Sequence, residues 1–180
     1  MSATKFSDYV LAARETADPE AFELEYLIPG IIGEVGELFG QRAKAHWHGK
    51  PDFELAKELR NELGDVAWMT AILLDRYGVR EIPDEQYEKL DRPYASAIPV
   101  SSLLLARIES LHAAYLASLG LPDLGARLIP SSAVELWALI EKRAEQITDG
   151  YPFEDVLAAN LRKLADRKAR GVLKGSGDHR

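Results

Sequence analysis

Two pairs of carboxylates carry the most chemically suggestive spacing in this chain. Glu34 and Glu37 stand three apart in Gly33-Glu34-Val35-Gly36-Glu37, and Glu62 and Asp65 stand three apart in Glu62-Leu63-Gly64-Asp65. On a helix, residues three apart lie one above the other on a single face. Two such helices laid antiparallel would aim four carboxylates at one spot. Like charges held that close oppose one another's ionisation. A divalent cation resolves the conflict, and an all-oxygen ligand set suits Mg²⁺ or Mn²⁺ rather than zinc. A Glu-x-x-Glu by itself says little, because charged helix surfaces are full of them. Here Glu34 and Glu37 sit among apolar residues and glycines, and Glu62 and Asp65 precede the apolar run Val66-Ala67-Trp68-Met69. Twenty-four residues lie between Glu37 and Glu62, enough for two antiparallel helix arms and a turn.

The elements that must position these acids are helical. Periodicity of 3.6 predicts helices over 4–17, 29–47 and 53–77, with Pro29 at the first turn of the second and Gly78 closing the third. Asp18-Pro19 breaks the chain after the first, 20–28 fits either a helical turn or a packed loop, and 49–52 (Gly-Lys-Pro-Asp) is a turn. Residues 79–100 read as a long connection rich in proline and charge. Further helices are expected over 103–119, over 133–148 behind a Ser131-Ser132 cap, and over 153–168. No strand-like alternation of any length occurs, so the chain reads as an all-α helical bundle. Gly30, Gly33, Gly36 and Gly40 form a bare stripe along the 29–47 helix, suited equally to close helix packing and to a place beside a site.

With 180 residues, the chain is read as one domain, 1–180. It has no cysteine, which removes disulfides and thiolate metal sites and fits a reducing cytoplasm. The first nine residues lack the apolar stretch of a signal peptide, and no apolar run is long enough to span a bilayer. A net charge of -7 argues against nucleic acid as a general partner. The charge is uneven: residues 160–180 hold seven basic and two acidic side chains, net +5, leaving -12 for the rest. An acidic body with a basic end could hold a metal and an anion together, although a solvated helix end that complements the helix dipole is the commoner use of such a tail.

Glu34-x-x-Glu37 followed by Glu62-x-x-Asp65 resembles the signature of the MazG-like, all-α nucleoside triphosphate pyrophosphohydrolases. The C-terminal block is similar too: Asn160-Leu-Arg-Lys163-Leu-Ala-Asp-Arg167, then Gly171-x-x-x-Gly175-Ser176-Gly177-Asp178-His179-Arg180. The likeness covers roughly 29–78 and 153–180, more weakly the first helix. It implies hydrolysis of a nucleoside triphosphate to monophosphate and pyrophosphate. It also implies Mg²⁺ (or Mn²⁺) held by Glu34, Glu37, Glu62 and Asp65, and a homodimer or higher homo-oligomer. Asn160, Lys163 and Arg167 share a helical face that by resemblance contacts phosphate. Lys44, two turns beyond Glu37, could reach phosphate, though a solvated lysine near a helix end is commoner. The Gly-rich loop 171–180 could close over nucleotide through Asp178 or Arg180, or simply fray.

Three departures stand out. Val10 occupies a first-helix position where relatives often carry Gln, and His179 one where Asn is usual. Residues 79–152 are far longer than the link in short relatives, and read as an inserted helical segment. It would either complete a bundle otherwise built by a second subunit or, the favoured expectation, extend the periphery. No residue is singled out as general base.

Other combinations carry less. His46 and His48, two apart, face different ways. Trp47 and Trp68 could border a base, but packing is the usual use of such rings. Glu109-x-x-His112 matches half of a di-iron carboxylate motif whose second half is missing. Two further functions therefore stand beside the hydrolase: a non-catalytic helical module binding nucleotide or partner, and a di-metal redox bundle, which this ligand set disfavours.

Overall fold

A computed structural model describes residues 5–171. Asp178 and Arg180 lie outside the described residues. Within them the chain is helical, with no strand. The elements are α1 (Phe6–Arg14), a 3-10 turn (Pro19–Phe22), α2 (Leu24–His48), α3 (Asp52–Arg76), α4 (Asp84–Asp91), α5 (Pro93–Ser96), α6 (Val100–Gly120), α7 (Pro122–Lys142), α8 (Ala144–Thr148) and α9 (Phe153–Ala169).

The α2–α3 hairpin is the frame. Gly49 closes α2 in the left-handed region at φ 64°, where glycine carries no steric penalty. Pairs across the hairpin run in opposite directions along its two arms: Lys50 Nζ in the turn meets Glu58 at 2.5 Å and Gln41 Nε2 meets Glu62 at 3.0 Å. The expected end of α3 is also found. Gly78 sits at φ 70°, and the Val79 N–H returns to the Leu74 carbonyl at 3.0 Å. α3 is the central helix. Leu59, Leu63, Val66, Ala67, Ile72 and Leu73 are fully buried, and α1, α2, α7, α8 and α9 all pack on it.

Two helix starts differ from expectation. α2 begins at Leu24, not at Pro29. The turn before the proline is held helical because Leu27 and Ile28 are completely buried, while Pro29 itself faces solvent. α7 begins at Pro122 rather than 133, so Ser131-Ser132 is no cap but lies mid-helix. The missing Pro130 N–H costs one helical bond. Burial of Gly125, Ile129 and Ala133 on the core side of α7 outweighs it. What was expected to be a single helix to 148 is divided at Arg143 into α7 and α8. The long connection 79–100 contains α4 and α5.

The 79–152 segment is not an outer layer. Trp137 of α7 is 1 % exposed, and its ring centroid lies 4.8 Å from Phe6, 5.8 Å from Tyr9 and 5.3 Å from Phe153. It thus joins α1, α7 and α9 in a single apolar core. α6 and α7 form a tight antiparallel pair that comes into close contact at Gly125. A Cβ added there would lie 2.1 Å from that of Ser118. The stripe on α2 behaves differently. Only Gly30 is approached, by the Met69 sulfur at 2.6 Å from the position of an added Cβ, while Gly33, Gly36 and Gly40 have nothing within 4 Å.

These contacts give opposite expectations for two alanines. Gly125→Ala forces α6 from α7 and lowers unfolding free energy by about 1–3 kcal/mol. Gly40→Ala, in open space on a helix, raises it by up to about 1 kcal/mol. Urea titration of the two variants against the parent checks both signs.

Candidate metal centre

Glu34 of α2 and Glu62 and Asp65 of α3 converge. Each offers a carboxylate oxygen, and these oxygens lie within 4.8 Å of one another. The α2–α3 hairpin causes the meeting: the antiparallel register that sets Gly30 against Met69 puts residue 34 opposite residue 65, one helical turn from 62. Glu62 is buried, and Glu34 and Asp65 are half-buried. The fourth expected ligand, Glu37, is not in the trio. It is exposed on α2, close enough for its charge to act on Glu34 and Glu62.

Crowding is visible in the proton affinities. Loss of hydration lifts the Glu34 carboxyl from 4.5 to about 8, helped by the charges of Asp65, Glu37 and Glu62, while Lys163 opposes the rise. Burial also raises Glu62, against which the Gln41 amide stabilises the anion; Glu37 and Asp65 add to the rise. The Tyr26 phenol is raised by burial and then by Glu34 and Asp65, placing its ring beside the cluster.

Asp65 is held from α9. Its Oδ1 accepts the Asn160 amide N–H at 2.8 Å and its Oδ2 accepts Lys163 Nζ at 2.5 Å. Asn160 Oδ1 in turn faces the Tyr9 hydroxyl at 3.4 Å. Asn160, Lys163 and Arg167 therefore do share the site-facing side of α9, but the first two engage an acid of the cluster. Arg167 lines the adjoining cleft. Lys44 is exposed and makes no ion pair with the cluster.

The cleft beside Glu34 and Asp65 has a volume of about 350 Å³. Trp68, Met69 and Leu164 give it apolar walls, Tyr26 and Arg167 stand at its side, and Thr16 and Asp18 line its end near the 3-10 turn. Trp68 is packed as expected, 8 % exposed, with its Nε1–H donated to Thr16 Oγ1 at 3.0 Å, and one side of it lines the cleft. A second cleft of about 340 Å³ lies over α7, α8 and α9. Its Glu141 is already committed, accepting from the Tyr87 hydroxyl at 2.6 Å and Trp137 Nε1 at 2.8 Å. His46, Trp47, His48, Glu109 and His112 are all exposed and gather no ligand set among the described residues.

The chain matches no family model, no curated protein and no solved structure. The functional reading therefore stands on the site itself. The donors fit a hard divalent cation. They are oxygen-only carboxyl groups, and their oxygens already lie within 4.8 Å of one another, so side-chain rotation could bring them onto one ion. Mg²⁺ commonly keeps several waters, so three carboxylates are enough.

Reading the sequence alone missed Gln41, Tyr9 and Tyr26. Gln41 was findable, being seven residues from Glu34 on the same face of α2. Tyr9 was indistinguishable from an ordinary core aromatic.

The Glu34 shift sets a pH dependence. A carboxyl whose folded pKa lies above its unfolded value binds its proton more tightly when folded, so stability is lost as pH rises from about 5 towards 8. In chelator-treated protein the melting temperature falls across that window. Glu34→Gln flattens the fall, and added Mg²⁺ restores the loss at pH 8. Thermal melts from pH 5 to 9 read all three.

Proposed function

We propose that this protein is a divalent-cation-dependent nucleoside triphosphate pyrophosphohydrolase, converting (d)NTP and water to (d)NMP and pyrophosphate. The observation that carries the reading is the convergence of Glu34, Glu62 and Asp65 within 4.8 Å from two helices, at the edge of a cleft of about 350 Å³. The resemblance of the two acidic pairs and the C-terminal block to MazG-like enzymes points the same way.

Each part of the site has a task in that reaction. Glu34, Glu62 and Asp65 would hold the cation, and Glu37 adds negative charge at its exposed side. The cation supplies charge neutralisation and Lewis acidity towards phosphate oxygens. Lys163 and Arg167 offer a point charge and a planar fork for the remaining phosphate charge. Trp68, Met69 and Leu164 shelter the nucleoside from water, and Tyr26 offers a ring at the side. Water attacks the α-phosphorus, the bond from it to the bridging oxygen breaks, and pyrophosphate leaves with that oxygen. Positioning and electrostatics supply most of the catalysis in such transfers.

The reading includes a homodimer or higher homo-oligomer working in the cytoplasm. Exposed leucines at the tip of the α6–α7 pair, Leu116, Leu119 and Leu121, support self-association. No helix among the described residues is long and apolar enough to cross a membrane.

A second reading, a non-catalytic helical module, is favoured by one observation: the Lys163–Asp65 ion pair is also what a purely structural network would contain. Turnover separates the two. Incubation with a panel of dNTPs and NTPs and Mg²⁺ is expected to release pyrophosphate and not orthophosphate. Glu62→Gln and Asp65→Asn are expected to lower kcat by about a hundredfold or more, with circular dichroism unchanged. Full activity in both variants would remove the site assignment, and binding without turnover would favour the module.

A further inference from the structure

We propose that Asn160, backed by Tyr9, is a positioning residue for Asp65 and not a phosphate contact. The inference rests on reading the acidic trio as a cation site.

Asn160 is enclosed. It is 3 % exposed, and Tyr9 behind it is fully buried. An ionised carboxylate only accepts, so the amide nitrogen must face Asp65, which turns the amide oxygen to the Tyr9 hydroxyl, a group that can donate to it. This is the arrangement found, at 2.8 and 3.4 Å. The third wall is Gly64, the residue preceding Asp65. A Cβ there would lie 2.9 Å from Asn160 Cβ and 3.1 Å from its Nδ2. Glycine at this point of α3 is thus what admits the Asn160 side chain against the helix, one residue from the acid it holds.

Asn160 spends one amide N–H on Asp65 and its oxygen on Tyr9, and at 3 % exposure, with one flank against backbone, its second N–H is enclosed and not presented to a phosphate. Its effect passes through Asp65. Asn160 fixes Oδ1 while Lys163 takes Oδ2, which sets the rotation of the carboxylate. A carboxylate has about four lone-pair sites, so those remaining are free to turn towards Glu34 and Glu62. Lys163 is different in kind: it is long and half-buried, and can swing away from Asp65 towards an anion. Asn160 cannot without unpacking Gly64 and Tyr9.

The test separates the two roles by titrating Mn²⁺ into protein without nucleotide, by calorimetry or electron paramagnetic resonance, and by measuring KM at saturating Mn²⁺. Asn160→Ala is expected to weaken Mn²⁺ binding about tenfold while KM at saturating metal stays within about twofold. Gly64→Ala should weaken Mn²⁺ on its own but add little in an Asn160→Gly background, which removes both the Cβ and the amide that an added Cβ would meet. Tyr9→Phe, which removes only a long hydrogen bond, should shift Mn²⁺ affinity in the same direction by about twofold; it and Gly64→Ala carry the test should Asn160→Ala not fold. Unchanged Mn²⁺ affinity in the folded variants, with KM raised about tenfold, overturns this inference and leaves the hydrolase reading standing. A parent protein with no Mn²⁺ binding that Glu62→Gln abolishes overturns both.

Discussion

Repulsion among gathered carboxylates is the constraint around which the middle of this protein is built. Glu34, Glu62 and Asp65 are brought close in a half-buried setting, and the raised proton affinities of Glu34 and Glu62 express the cost. Folding alone gains nothing from such an arrangement, because a buried like-charge cluster opposes it. The chain offsets the repulsion piecemeal. Gln41 donates to Glu62, while Asn160 and Lys163 donate to Asp65. Each donor lies on a helix other than that of the acid it serves, so the polar centre and the helix packing depend on one another.

That dependence explains the division of labour among helices. α2 and α3 supply the acids, α9 supplies the groups that steady them, and α1 contributes Tyr9 from behind. Among the described residues no hydrogen bond or ion pair joins the 79–152 segment to these acids, yet α7 places Trp137 against Phe6, Tyr9 and Phe153. It thereby fixes α1 and α9 relative to each other, and so the Tyr9–Asn160 contact. Asp75 of α3 does the same at the other end of α1, meeting Arg14 at 3.3 Å and Arg80 at 2.8 Å. Structural and polar roles thus meet in a few aromatic and ionic contacts, not in a separate scaffold.

Local spacing made the acids legible. Three-residue steps put Glu62 and Asp65 on one face of α3, and a short Gly-Lys-Pro turn implied the hairpin that brings Glu34 to them. The same spacing could not tell that Glu37 would stay outside the trio, because that depends on how α2 is rotated against α3. Proline and serine misled at Pro29 and at Pro130-Ser131-Ser132, where local propensity favoured a helix start but buried Leu27, Ile28, Ile129 and Ala133 carried the helix through. The role of Asn160 was partly legible, since its face on α9 was right and its hydrogen bond to Asp65 was not foreseen. Only the close approach at Gly64 reveals that the amide is enclosed, and a side chain's neighbours on a distant helix leave no mark in local sequence.

Anomalous diffraction from crystals grown with Mn²⁺ tests the central claim most directly. The account predicts an anomalous peak bounded by Glu34, Glu62 and Asp65, next to the cleft walled by Trp68 and Met69. A peak elsewhere, or none at millimolar Mn²⁺ with the three carboxylates still together, would contradict it.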